Sequence, residues 1–289
     1  MSAGTNMNGK VCLVTGANQG IGKETAAALA RMGATVVMTS RDRGKGEAAL
    51  ADVRQRSGSA GVELMLADFS SLASIRQVAA DFKSRHQKLD VLVNNAGALM
   101  TSRSTTADGF ETTFGVNHLG YFLLTNLLLD TIKASAPARI VNVSSRAHTR
   151  AEMDFDNLNS EGKYSGMTAY SRSKLANVMF TYELARRLEG TGVTTNCLHP
   201  GVVRTGFGRN NSGIVKVGVN VFQFVGRPWL LSPEKGAATS IYLASSPEVE
   251  GITGKYFDNC RDVPSSTASY NEEAQRKLWG VSEEMVARS

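Results

Sequence analysis

Tyr170 and Lys174 stand four residues apart in the run Tyr170-Ser171-Arg172-Ser173-Lys174. On a helix, that spacing puts a phenol and an ammonium on one face. A tyrosine ordinarily ionises near 10, too high for a base at neutral pH. An ammonium about 4 Å away contributes on the order of 4 kcal/mol at an effective dielectric near 20. One pKa unit is about 1.4 kcal/mol, so the phenol is expected to titrate roughly two to three pH units lower. That brings it into useful acid–base range. A YxxxK pair alone is common on surfaces, but this one follows a strand-like run that ends in Ser144-Ser145. A serine hydroxyl at that strand end can hold a substrate oxygen for the phenol. None of the four histidines stands as an obvious partner for a serine nucleophile.

A second cluster lies near the start. Thr15-Gly16-Ala17-Asn18-Gln19-Gly20-Ile21-Gly22 follows the first apolar run and opens the first helical pattern. Gly16 allows a tight turn, Gly20 lets backbone approach a pyrophosphate, and Gly22 lets helix pack closely on strand. The helix N-terminus offers free N–H groups and its positive dipole end to phosphate. The second strand-like run ends Thr39-Ser40-Arg41. An acidic residue at this place binds a ribose 2′-hydroxyl, and a basic one accommodates a 2′-phosphate. Arg41, with Ser40 beside it, therefore favours NADP over NAD. Asp42 is one position on and is expected to point elsewhere. Asp68 ends the third strand, followed by Phe69; its carboxylate can accept from an adenine amino group or cap the next helix. Asn94-Asn95-Ala96-Gly97 ends the fourth, where small residues suit backbone packed on a nucleoside. All these positions lie at carboxyl ends of strands, where open α/β sheets bind ligands.

The elements that must position these residues alternate along the chain. Strand-like runs are read at 10–15, 34–39, 62–66, 89–93, 140–143, 193–198 and 255–257, and helical periodicity at 20–32, 45–56, 71–85, 108–133, 168–188 and 233–244. Nearly continuous apolar strands between amphipathic helices imply a parallel sheet covered on both faces. The expected fold is α/β, a Rossmann-like doubly wound parallel sheet, in one domain over 1–289. Gly115 and Gly120 flank Asn117 within a long helical stretch. Each costs about 1 kcal/mol in a helix interior, so a kink or close contact is expected there. His118 reads as a packing or surface residue. The irregular stretch around 204–232 carries Phe207, Val221, Phe222 and Trp229, which suits a lid over a lipophilic substrate, a dimer contact, a membrane-surface helix or ordinary packing.

Composition excludes several classes. The net charge of +6 is scattered, with no block of five basic residues, so no nucleic-acid stripe is expected. Cys12, Cys197 and Cys260 are far apart, which points to a reducing, cytoplasmic compartment without a structural metal. No signal-peptide core or transmembrane anchor is read; the most apolar stretch, 213–231, is broken by Lys216, Gln223 and Arg227.

Taken together, TGANQGIG, NNAG, VNVSS, YSRSK and HPGVVRT, in that order, resemble the short-chain dehydrogenase/reductase superfamily. The resemblance implies a seven-stranded parallel sheet and a catalytic set of Asn117, Ser145, Tyr170 and Lys174. In that family the tyrosine is the acid/base. The lysine holds the ribose and supports a proton relay, and the asparagine helps anchor the relay water. The resemblance also implies that Pro200, Gly201, Val203 and Thr205 run beside the nicotinamide carboxamide. GANQGIGKETA, NHLGYFLLTNLLL and YSRSKLANVMFTYELARRL are similar to the retinol dehydrogenase-like branch, as is the long connection from Ser145 to Tyr170 that contains Tyr164. The expected activity is NADP-dependent hydride transfer to or from a lipophilic aldehyde, ketone or secondary alcohol. Relatives often pair through two long helices, which implies a homodimer or homotetramer. The alternatives are a non-catalytic NADP-binding redox sensor, or the same fold performing epimerase or lyase chemistry.

Overall fold

A computed structural model describes residues 6–203 and 231–287. Eight strands among these residues form one sheet in the order β3-β2-β1-β4-β5-β6-β7-β8. They are β1 (Val11–Val14), β2 (Thr35–Ser40), β3 (Val62–Leu66), β4 (Val91–Asn94), β5 (Ala138–Val143), β6 (Val193–Leu198), β7 (Tyr256–Asp258) and β8 (Arg261–Asp262). The first seven run parallel. The chain winds outward from β1 to β3, then returns to β4 beside β1, leaving a crevice at the switch point.

Helices cover both faces because the central strands are apolar on both. On β1, Leu13 joins one core while Cys12 and Val14 join the other. The same alternation places Leu92 of β4 in the first core and Val91 and Val93 in the second. Against the second core lie α1 (Gly20–Arg31), α2 (Arg43–Ser57) and α7 (Pro233–Ser245). Against the first lie α3 (Leu72–Arg85), α5 (Gly120–Ala134), α6 (Gly166–Arg187) and α8 (Glu272–Ala287).

Two features depart from the sequence reading, and a third matches the kink expected at Gly115 and Gly120. β8 is antiparallel to β7, joined by Asn259 and Cys260, both at positive φ (48° and 62°), as a two-residue hairpin turn requires. The helix over 112–134 is not uniform. A short α4 (Thr112–Phe114) passes into a π-helical turn, Gly115–Leu119, before α5. The two glycines mark its ends. A Cβ on Gly115 would lie 2.7 Å from Thr106 Cγ2, and one on Gly120 would lie 2.8 Å from the Phe69 ring. Helix α8 lies beyond the last strand read from the sequence. Its Leu278, Trp279, Met285 and Val286 are buried against α5 and α6, and Trp279 packs on Phe122 and Phe180 at centroid distances of 5.0 and 5.7 Å. Part of the long-helix face is thus covered within the chain.

Candidate active site

One cleft of about 1110 Å³ runs over the carboxyl ends of the strands. At one end stands the glycine turn. Gly16 and Gly20 are at positive φ (62° and 56°). A Cβ on Gly16 would meet Ala96 Cα at 2.8 Å, and one on Gly22 would meet the Gly16 carbonyl oxygen at 2.7 Å. Thr15 ties this turn to β4: its hydroxyl accepts from the N–H groups of Asn95 (2.8 Å) and Ala96 (3.0 Å). Helix α1 starts with no side-chain cap and no acidic residue in its first turn. By contrast, α2, α3, α6 and α7 are capped by Asp42, Ser71, Ser165 and Ser232. The free N–H groups of α1 face a cleft lined by Asn18, Gln19, Gly20 and Ile21. An uncapped helix start beside a turn that has no room for a Cβ at Gly16 or Gly22 fits a dinucleotide pyrophosphate.

The strand ends follow in order. Arg41 is exposed on the cleft wall next to Ser40. Asp42 also lines this wall, but its carboxylate accepts from Lys45 N–H at 2.9 Å and caps α2. Lys45, not singled out in the sequence, brings a second cation to the same wall. Asp68 and Phe69 line the cleft. Asp68 accepts from the Ser70 N–H and hydroxyl, while Ser71 caps α3. Ala96 and Gly97 line the floor, and Pro200, Gly201 and Val203 the far wall. Thr205, and all of 204–232 except Leu231 and Ser232, lie outside the described residues.

Asn94 is a correction. Its side chain is wholly buried, and its amide donates to Thr125 Oγ1 (3.0 Å) and Asn142 Oδ1 (2.9 Å). Period-two alternation turns it into the layer beneath the cleft, where it joins β4 to β5 and α5 instead of meeting a nucleoside.

At the other end of the cleft, Ser145, Tyr170 and Lys174 converge. Ser144 is committed elsewhere, donating to the Lys174 carbonyl at 2.8 Å, which leaves Ser145 as the cleft serine. Lys174 is 3% exposed; its Nζ donates to the Val143 carbonyl (2.9 Å) and lies 5.8 Å from the Tyr170 ring centroid. Burial depresses Lys174 to about 7. Burial also raises the Tyr170 phenol, and a hydrogen bond with Ser145 opposes that rise. The expected lowering of the phenol is therefore not found. Low dielectric disfavours both charged forms, and Lys174 loses its proton before Tyr170 would.

Asn117 is buried in the π-helical turn and does not line the cleft. Its Oδ1 accepts from the Ala98 N–H (2.7 Å), and its Nδ2 donates to the Ala98 carbonyl (2.9 Å) and Ser173 Oγ (2.9 Å). Ser173 in turn donates to the Tyr170 carbonyl at 2.7 Å. The Asn117 amide thus clamps the turn of α6 that carries Tyr170. Ser173 escaped the sequence reading because its role depends on contacts 56 residues apart. His118 packs, as read, among Phe114, Phe122 and Phe180, with Nε2 2.9 Å from Ser282 Oγ.

The short chain dehydrogenase family model matches residues 10–213. This chain belongs to the short-chain dehydrogenase family. Retinol dehydrogenase 14 of Homo sapiens is 49% identical over 293 residues, spanning 97% of this chain and 87% of that protein. Retinol dehydrogenase 12 of Homo sapiens is 47% identical over 278 residues, spanning 96% and 86%. These likenesses set the chain in the retinol dehydrogenase-like branch. A crystal structure of an uncharacterised Mycobacterium paratuberculosis protein superposes with a TM-score of 0.77 at 33% identity, covering 98% of this chain and 95% of that one. The Pseudomonas aeruginosa RhlG/NADP complex superposes at 0.69 and 27%, covering 89% and 97%. The family makes this chain a hydride-transfer oxidoreductase that binds a nicotinamide cofactor.

Proposed function

We propose that this dehydrogenase uses NADP and reduces a lipophilic carbonyl, with Tyr170 as proton donor. The carrying observation is the convergence of Ser145, Tyr170 and Lys174 at one end of a cleft whose other end is the uncapped glycine turn. A bound nicotinamide would supply the hydride at C4. Gly16 to Gly22 would hold its pyrophosphate, and Asp68, Phe69, Ala96 and Gly97 its adenosine half. Pro200, Gly201, Val203 and Thr205 would lie along its carboxamide.

Arg41 and Lys45 support NADP, because Asp42 is spent on capping α2 and leaves cations to face a 2′-phosphate. RhlG, a similar structure, is a complex with NADP, which agrees. Burial keeps the Tyr170 phenol neutral at pH 7, the state that can donate to a carbonyl oxygen gaining charge. Ser145 holds that oxygen. Lys174, poised near neutrality, would reprotonate the phenol. Asn117 acts by clamping Ala98 and Ser173, so its side chain positions the site without touching substrate.

The lipophilic character rests on the cleft mouth, where Met100, Val116, Met167 and Val202 line the wall. Met167 and Val202 are 58% and 65% exposed, an unusual place for large apolar groups without an apolar ligand. Relatives named for retinol point the same way. All three cysteines are free thiols, which suits a reducing compartment such as the cytoplasm. Among the described residues no helix is long and apolar enough to cross a membrane.

The test is oxidation of NADPH and NADH against a panel of aldehydes and ketones of increasing chain length. The expected result is faster turnover with NADPH and with longer chains. Absence of carbonyl-dependent oxidation would leave the sensor reading in its place, and conversion without net cofactor consumption would indicate epimerase or lyase chemistry.

A further inference from the structure

Three residues beyond Ser145, His148 sits on the tight turn Arg146–Arg150 and is 1% exposed. Its Nδ1 lies 2.7 Å from the Ser145 carbonyl oxygen, and its backbone N–H donates to the same oxygen at 3.1 Å. Its Nε2 lies 3.1 Å from the Ser266 nitrogen. A backbone carbonyl can only accept, so Nδ1 must carry the proton. A backbone N–H can only donate, so Nε2 must be bare. Only the neutral Nδ1–H tautomer satisfies both partners.

The ring is held from the side as well. Tyr256 packs on it at a centroid distance of 4.7 Å. The Tyr256 hydroxyl meets His199 Nδ1 at 2.8 Å, and His199 Nε2 faces Asp258 at 3.3 Å. Ser266 is anchored in turn: neighbouring Ser265 bonds the Tyr182 hydroxyl of α6 at 2.7 Å and Ser269 at 2.6 Å. His148 therefore joins the peptide of the cleft serine to a C-terminal turn 118 residues away.

We propose that His148 is a positioning residue for Ser145, holding the serine peptide against the C-terminal turn so that its hydroxyl faces Tyr170. The proposal rests on the reading of Ser145 as the group that holds the substrate oxygen. Ser145 Oγ accepts from the Ala147 N–H at 3.2 Å and bonds Tyr170 across the cleft. The carbonyl held by His148 belongs to the same residue; without the Nδ1 bond only the His148 backbone N–H, at 3.1 Å, still holds it, so the hydroxyl is less firmly placed. A misplacement near 1 Å costs about 100-fold in rate.

The experiment compares His148→Asn with His148→Gln in the full chain. Asparagine keeps an amide donor where Nδ1 stood. Glutamine carries its amide toward Ser266 and abandons the Ser145 carbonyl. The expected result is a kcat loss of about 10-fold or more for glutamine, with carbonyl KM and NADPH Kd within about twofold of the parent, and recovery of most of that loss by asparagine. Equal losses in the two variants, or a change confined to KM, would overturn the proposal. Nitrogen NMR of the histidine ring in the parent protein gives a readout independent of turnover. A neutral ring protonated at Nδ1 supports the proposal, and an Nε2–H ring or an imidazolium at neutral pH refutes it. A parent that oxidises no NADPH refutes the proposed function, and the NMR result still decides whether His148 holds Ser145.

Discussion

At the cofactor end of the cleft, α1 begins at Gly20 with no cap, and Arg41 projects into solvent. At the catalytic end, α6 is capped by Ser165 and carries Lys174 down to 3% exposure. The first end works through backbone groups left unpaired and through glycines that keep side chains away. Its glycine turn and Arg41 are close in sequence, although Thr15 also ties that turn to Asn95 and Ala96. The second works through side chains whose positions are set from far along the chain: Asn117 on Ser173, Lys174 on Val143, His148 on Ser266. A binding surface for a large anion can be built from local turns. A proton-transfer site needs a few atoms fixed in a low-dielectric pocket, and only long-range packing supplies that.

This contrast can be broken most directly at Tyr170. The Tyr170→Phe variant removes one oxygen from the catalytic end and nothing from the cofactor end. We expect kcat to fall by about 10³-fold, with NADPH affinity unchanged in a fluorescence titration; retained turnover would remove the acid role. The next effect concerns the packing that supports that end. Burial depresses His118 to about 4, below its ordinary 6.5. The unfolded chain therefore binds this proton more readily than the folded one. The stability it governs is whole above pH 6.5 and is lost as pH falls from 6.5 toward 4, by up to about 3 kcal/mol. Urea melts across that window should show the loss, and His118→Gln should flatten it. Hydrogen exchange should locate the acid-sensitive region around the π-helical turn and α8, not at α1.

At the cofactor end, Arg41→Asp removes a charge-assisted contact worth about 1.5–3 kcal/mol. Preference for NADPH over NADH, read as a ratio of kcat/KM values, should drop by about 10- to 100-fold. An unchanged ratio would clear Arg41 and shift attention to Lys45. The smallest effect is expected from Asp42→Ala. Loss of the α2 cap should cost about 1 kcal/mol in stability, with no change in cofactor preference. A large change in preference would mean that Asp42 touches the cofactor after all.

Residue types and their places along the chain were enough for much of the site. The glycine spacing, Arg41 in place of an acid and the phenol–amine pair gain their meaning from where the alternation of strands and helices puts them, since a YxxxK pair alone is common on surfaces. Asn94 was misread because its neighbours belong to the cleft, yet the alternation of a strand turns its own side chain inward. The lowered phenol was misjudged because a Coulomb estimate assumes a charged lysine, and burial removes that charge near neutrality. Helix α8 was passed over although Leu278, Trp279, Met285 and Val286 recur at helical spacing.

By itself the sequence determined which strands would alternate with which helices, where the phosphate turn would fall and which residues could exchange a proton. Those depend on period, turn chemistry and side-chain type, all of them local. Tertiary structure alone decided that the Asn117 amide clamps α6, that His148 ties Ser145 to Ser266, and that burial shifts Tyr170 and Lys174 in opposite directions. Each of those depends on groups more than 50 residues apart or on exclusion of water, and neither is encoded at a single position.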